Sequence, residues 1–130
     1  MSAPTSKEII EISRARGYLA KQLYVIFTTP ANGISPVLEN LQQHLDYQEL
    51  LERRGVMFAA DPHWTDDEQR WDGEGMVVVR AGSFAEAEAI AKEDPMHASG
   101  AHRYSVRPWL VNEGTLSVKL NFASGRFELA

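Results

Sequence analysis

The sequence predicts an α+β domain of the split βαβ, ferredoxin-like type, and three observations carry that prediction. Between Leu23 and Leu110 the patterning runs strand, helix, strand, strand, helix, strand, which is the β-α-β-β-α-β order of that arrangement. Both helices have readable ends, with serines at their starts and Gly55 or Pro95 at their stops. At 130 residues the chain is long enough for one sheet with a few helices and short for anything more.

The elements follow in order. Thr5-Ser6-Lys7-Glu8 has capping-box spacing and precedes Ile9, Ile10 and Ile12, so a short leading helix runs to about Arg16, where Gly17 ends it. Leu23 to Thr28 is rich in β-branched and aromatic residues, apolar on both faces and bounded by Pro30, Asn32 and Gly33; it reads as a central strand. Ser35 as N-cap with Pro36 at the first helical position opens a helix to about Arg54. Val56 to Ala60 is a short strand. Asp61 to Gly75, polar and carrying Trp64 and Trp71, reads as a long connection, a length often functional. Met76 to Arg80 is a strand, Ser83 caps a helix with Glu86 at capping-box distance, and Pro95 stops that helix at Asp94. Tyr104 to Leu110 is the fourth core strand. Alternation over Leu116, Val118, Leu120 and Phe122, a turn at Ser124-Gly125 and a strand through Phe127 and Leu129 give a terminal hairpin with one apolar face.

One domain over residues 1–130 is therefore expected: a core at about 21–111, an N-terminal helical extension at 1–20 and a hairpin extension at 112–130. Both helices lie on one sheet face in this order, so the opposite face needs a cover, for which a homodimer is the simplest solution. The hairpin is expected to extend the sheet or clasp a partner subunit, since its apolar face cannot be left in water.

Charge and composition exclude several function classes. A formal charge of -5 without a lysine or arginine cluster argues against nucleic acid as a partner. Without cysteines there are no disulfides, thiolate metal sites or cysteine nucleophiles. Met1 to Glu11 lacks a signal pattern and no apolar run approaches about 18 residues, so no membrane association and a cytoplasmic location are expected.

Two residues break local rules, as site residues often do. At about 100° per residue, Val37, Leu41, His44, Gln48 and Leu51 share one narrow sector, with Glu39, Asp46, Glu49 and Arg53 opposite. His44 thus faces inward. Asp94 is read in the last turn of its helix, where a carboxylate opposes the macrodipole at about 0.3–1 kcal/mol; a histidine partner would compensate. Taken singly, His44 reads equally as a core histidine satisfied by a backbone carbonyl, and Asp94 as an exposed helix stop.

The core resembles the YCII-related (YciI-like) family. The resemblance rests on Tyr24-Val25-Ile26-Phe27; on His44-Leu45 with Tyr47 and Leu50 leading to Gly55-Val56-Met57-Phe58; and on Glu93-Asp94-Pro95-Met96 followed by Val106-Arg107-Pro108-Trp109. It implies a dimeric α+β barrel and a paired histidine and aspartate in a pocket, which map onto His44 and Asp94 as general base and orienting partner. One related branch is similar to dehydrochlorinases of chlorinated hydroxyhydroquinones, and the wider superfamily includes muconolactone isomerases and cofactor-free monooxygenases. Where the family usually shows a glycine before a proline, this chain has Asp61-Pro62-His63, so Asp61 and His63 are candidate substrate contacts.

His97, three residues beyond Asp94, is a further candidate contact, and Arg107 could bind an anionic substrate bidentately, though an outward-pointing strand residue is the simpler reading. His97 and His102 fit no tight metal-ligand spacing, and no glycine-rich phosphate motif or nucleophile elbow occurs. No metal and no cofactor are expected. The leading expectation is a small cofactor-independent enzyme in which His44 and Asp94 transfer protons, by elimination or isomerisation, on a small aromatic or enol-type metabolite. The alternative is a non-catalytic dimeric ligand-binding or assembly module.

Overall fold

The computed structural model describes residues Met1 to Ala130. Two compact units are distinguished, one formed by Gln22–Leu110 and the other by Met1–Lys21 with Val111–Ala130.

The larger unit holds a four-stranded sheet in the order β2-β3-β1-β4, made of β1 (Lys21–Pro30), β2 (Met57–Pro62), β3 (Gly75–Val79) and β4 (His102–Val111). Antiparallel registers Tyr24↔Val79 to Thr28↔Gly75 tie β1 to β3, and Ala60↔Val77 and Pro62↔Gly75 tie β2 to β3. This is the antiparallel sheet that the split βαβ order requires. The central strands are the β-branched runs, and Pro108 falls on an edge strand, where its missing N–H costs no ladder bond.

Alternation along β1 and β3 sends Tyr24, Ile26, Val77 and Val79 to the face covered by α4 (Phe84–Glu93), whose Ala87 and Ala91 complete that core. Two alanines one turn apart leave no bulk between helix and sheet, so the backbone approaches closely. A second cluster joins Val37, Met96 and Ala101, with Leu41 and Trp71 packed against it.

Two helical expectations are corrected. The first crossover is two helices, α2 (Ile34–Glu39) and α3 (Leu41–Arg53), and α2 is preceded by Gly33 at φ 74 without a side-chain cap, rather than by Ser35. Pro36 is tolerated because N–H groups in a first turn lack helical partners anyway. Asn40 makes the break, with φ -101 and ψ 2 and its Nδ2 donating to the Pro36 carbonyl at 2.8 Å. The apolar stripe survives the break: Val37 and Leu51 are buried and His44 is inward. The second correction concerns Asp94. Its ψ of 125 takes it out of α4 and makes it the N-cap of α5 (Pro95–Ala98), accepting from the Met96 N–H. The carboxylate therefore caps the favourable end of α5, and this contact offsets the unfavourable position that Asp94 still holds as the C-cap residue of α4.

In the smaller unit, α1 (Ser6–Ala15) carries the expected capping box, with Thr5 and Glu8 bonded reciprocally. Asn112 binds there too: its Oδ1 accepts from the Ala20 N–H and its Nδ2 donates to Ser13 Oγ, both at 3.0 Å. The hairpin, β5 (Val118–Leu120) and β6 (Phe127–Leu129), forms its own two-stranded sheet instead of extending the larger one. Three residues per strand pair only with each other. No helix is long and apolar enough to cross a membrane.

Candidate active site

Seven parts of the larger unit, β2 with Asp61 and Pro62 among them, converge on a cavity of about 210 Å³. One side is α3, with Leu41, His44, Leu45 and Gln48; β1 contributes Thr28; β3 contributes Gly75, Met76 and Val77; Met96 and His102 close the base; and Trp71 and Gly73 come from the 63–74 connection. The wall is chiefly apolar, with a few polar groups converging, as ligand sites are. Gly73 could be no other residue. Its φ is +94, and a Cβ there would lie 2.6 Å from Pro30 Cγ and 3.1 Å from Ile34 Cδ1.

His44 and Asp94 meet here although 50 residues separate them. The His44 Nδ1 stands 2.9 and 2.8 Å from the two carboxylate oxygens, and the side chains are only 12% and 5% exposed. Asp94 Oδ1 also accepts the Met96 N–H at 2.9 Å, so the short α5 fixes the carboxylate that fixes the ring. A neutral ring that donates from Nδ1 presents an unprotonated Nε2. That nitrogen lies 2.9 Å from Gln48 Nε2, whose amide donates to it. Gln48 was seen in the sequence only as a member of the inward stripe; its spacing of four from His44 is the signal that the two side chains meet.

Tyr47 braces the same helix, donating its hydroxyl to the Ile90 carbonyl at 2.8 Å. Burial first, then the Glu93 and Asp94 carboxylates, push its phenol up to about 12, so it remains a neutral donor across the pH range of the protein.

Of the other candidate contacts, Asp61 lines the cavity, whereas His63, His97 and Arg107 do not. His63 is exposed beyond β2, with its backbone N–H on the Glu74 carbonyl. Arg107 is exposed on β4. His97 lies behind the wall: its Nδ1–H donates to the Ala91 carbonyl at 2.6 Å and its ring packs 4.4 Å from that of Tyr104. Trp71 reaches the cavity, with its indole N–H on the Glu74 carbonyl, while Trp64 is 64% exposed. His102, for which the sequence favours a surface or pocket-lining polar residue over a metal ligand, is a wall residue whose Nε2–H donates to the Gly73 carbonyl at 2.6 Å. No alternation or spacing could have matched it to a glycine 29 residues away.

His97 and His102 have a shared electrostatic character. His97 Nε2 and His102 Nδ1 are buried without a partner, and burial holds both imidazoles below their ordinary value of 6.5 despite their carbonyl partners and Asp94. A proton added to either would have no acceptor. The folded state therefore binds fewer protons than the unfolded state below about pH 6.5, and stability falls as pH drops through that value. Urea midpoints at pH 7.5 and 5.5 check this: a fall at pH 5.5 that shrinks in His102→Gln is expected, and equal midpoints in the wild type would refute it.

No curated protein matches the chain. Among solved structures, a 5-chloro-2-hydroxyhydroquinone dehydrochlorinase from Burkholderia phenoliruptrix, in complex with 2,5-dihydroxybenzoquinone, is similar, with a TM-score of 0.54 and 23% identity over 67% of this chain and 92% of that one. At that identity the likeness speaks to the fold, which is the α+β arrangement described above. The YCII-related domain profile matches residues 22–110, the whole of the larger unit. The chain belongs to the YCII-related domain family.

Proposed function

We propose that this protein is a small cofactor-independent enzyme that transfers protons on a small aromatic or enol-type metabolite, with His44 as general base and Asp94 as its orienting partner. The observation that carries this reading is the clamp on His44: the carboxylate on Nδ1 fixes the tautomer, and Nε2 is presented at an apolar cavity. In such a site Nε2 takes a proton from a phenolic hydroxyl or from a carbon next to a carbonyl. The released electron pair then expels a leaving group, or returns at another position when the imidazolium gives its proton back. The first course is an elimination, the reaction type in the name of the dehydrochlorinase of similar fold; the second is an isomerisation. Gln48 must yield as substrate arrives, because it occupies the same lone pair. Asp61, at the cavity edge, is a substrate contact in this reading.

The reading includes a homodimer. On the sheet face away from α4, Leu23, Val25 and Val78 are already buried, while Phe27 remains 39% exposed and would be covered by a subunit interface. Light scattering on the purified protein tests it, and a monomer at micromolar concentration would refute it.

The chemistry is tested by assaying halogenated and hydroxylated single-ring compounds with wild type and His44→Ala. Turnover is expected to fall about 10²–10⁴-fold in the variant, the usual contribution of a positioned acid or base, with binding retained. Turnover unchanged by the substitution would overturn the assignment of His44. A wild type that binds but never turns over, and loses affinity on the same substitution, would replace the enzyme with a ligand-binding module.

A further inference from the structure

Thr28 is a polar residue of the cavity that the proposed chemistry leaves unused. It comes from the end of β1 and is only 5% exposed, yet its hydroxyl has no hydrogen-bond partner in the protein and is not sealed off like the unpaired imidazole nitrogens. Across from it lies Gly75, its register partner on β3. A Cβ on Gly75 would come within 3.5 Å of Thr28 Oγ1, so the bare glycine keeps space open over the hydroxyl. A buried polar group without a partner is costly unless something pairs with it, and here the cavity is where a partner can stand.

The charge of the wall is the second observation. No lysine or arginine lines the cavity, and its charged residues are Asp61 and Glu74. An adjoining groove shares Leu45, Gln48 and Asp61 and adds Glu49 and Glu52, again without a cation. A carboxylate entering either space would lose its hydration with no counter-ion to replace it. The volume is the third. A cavity of about 210 Å³ compares with roughly 150 Å³ for an engineered apolar cavity that takes up benzene, leaving room for one substituted ring and not two.

From these three observations we infer that the site selects a single ring that bears hydroxyl groups and no carboxylate, one hydroxyl being held by Thr28 while His44 serves another. Thr28 is then a specificity-determining residue. The inference rests on the site proposed above and names its substrate class.

The test is an NMR titration of the full-length protein at pH 7.5 with hydroquinone and with 2,5-dihydroxybenzoate, which differ by one carboxylate. Hydroquinone is expected to bind at least about 10-fold tighter, the gap that about 1.4 kcal/mol makes, with shifts at Thr28 and His44. Thr28→Val, which keeps the shape and removes the hydroxyl, is expected to weaken hydroquinone about 2- to 10-fold. Leu45→Arg, at a half-exposed wall position, is expected to improve the benzoate and narrow the gap. Equal or tighter binding of the benzoate by wild type, or no effect of Thr28→Val in a protein with an unchanged spectrum, would overturn the inference and leave the His44 chemistry standing. If neither compound shifts any cavity resonance, the site reading itself falls, and this inference with it.

Discussion

Replacing Asp94 by alanine is expected to destabilise the protein by about 3–5 kcal/mol, the range found when one member of a buried pair is removed. The carboxylate is 4% exposed and accepts two donors, His44 Nδ1–H and the Met96 N–H. Alanine leaves both donors buried without acceptors, at about 1–3 kcal/mol each. It also removes the N-cap of α5, and with it the order of the helix that carries Met96 into the cavity wall. Asp94→Asn should cost less, because its carbonyl oxygen can still accept from Met96 while its amide meets His44 poorly. Urea unfolding followed by circular dichroism gives both values, provided the slope with denaturant is unchanged. A loss below 1 kcal/mol in Asp94→Ala would show that the pair contributes little and that α5 is held by packing alone. The same variant serves as a control for the chemistry. A folded Asp94→Asn that retains ligand but loses turnover would place the carboxylate in the proton transfer, not only in the architecture.

The second large effect is expected at Met96. Its side chain is fully buried among Val37, Ala101, Leu41 and Trp71, and it also faces the cavity. Truncation to alanine should cost about 2–5 kcal/mol, the range for large core residues cut to alanine. The upper half of that range is expected because the neighbours come from α2, α3, the 63–74 connection and the start of β4, which cannot all move inward together. Met96→Leu, nearly equal in volume, should cost under about 1.5 kcal/mol. The alanine variant should also enlarge the cavity, so that two-ring phenols too large for the wild type gain binding. A stability loss without any change in the size of ligand accepted would mean that the wall collapses onto the space, and the volume argument for a single ring would then lose its support.

Much of this architecture is legible from local rules. The β-branched runs, the Thr5–Glu8 capping box, Ser83 with Glu86 and the glycine and proline stops each act within a few residues, and the strands and helices they delimit agree with the sequence to within a few residues. The inward direction of His44 is equally local, since a periodic stripe fixes a helix face whatever packs against it. The anomaly at Asp94 marked a residue that does pair with His44, but for an incomplete reason: the carboxylate needs a donor, and it has two, one of them on a four-residue helix that lies just past the stop read at Pro95. Pro95 supplied the signal, being as favourable at the start of a helix as at the stop of another.

The sequence by itself determined the order and kind of the core elements, the family, and which side of α3 carries the imidazole. Only the tertiary structure decided what stands opposite that imidazole. Gln48 on its free nitrogen, Thr28 and Gly75 across the sheet, His102 on the Gly73 carbonyl, and the exclusion of Arg107 from the cavity wall are contacts between segments far apart in the chain. The reason is physical. Periodicity and capping are energies of the local backbone, whereas a cavity is a space left between elements, and its lining depends on how the packed core positions all of them at once.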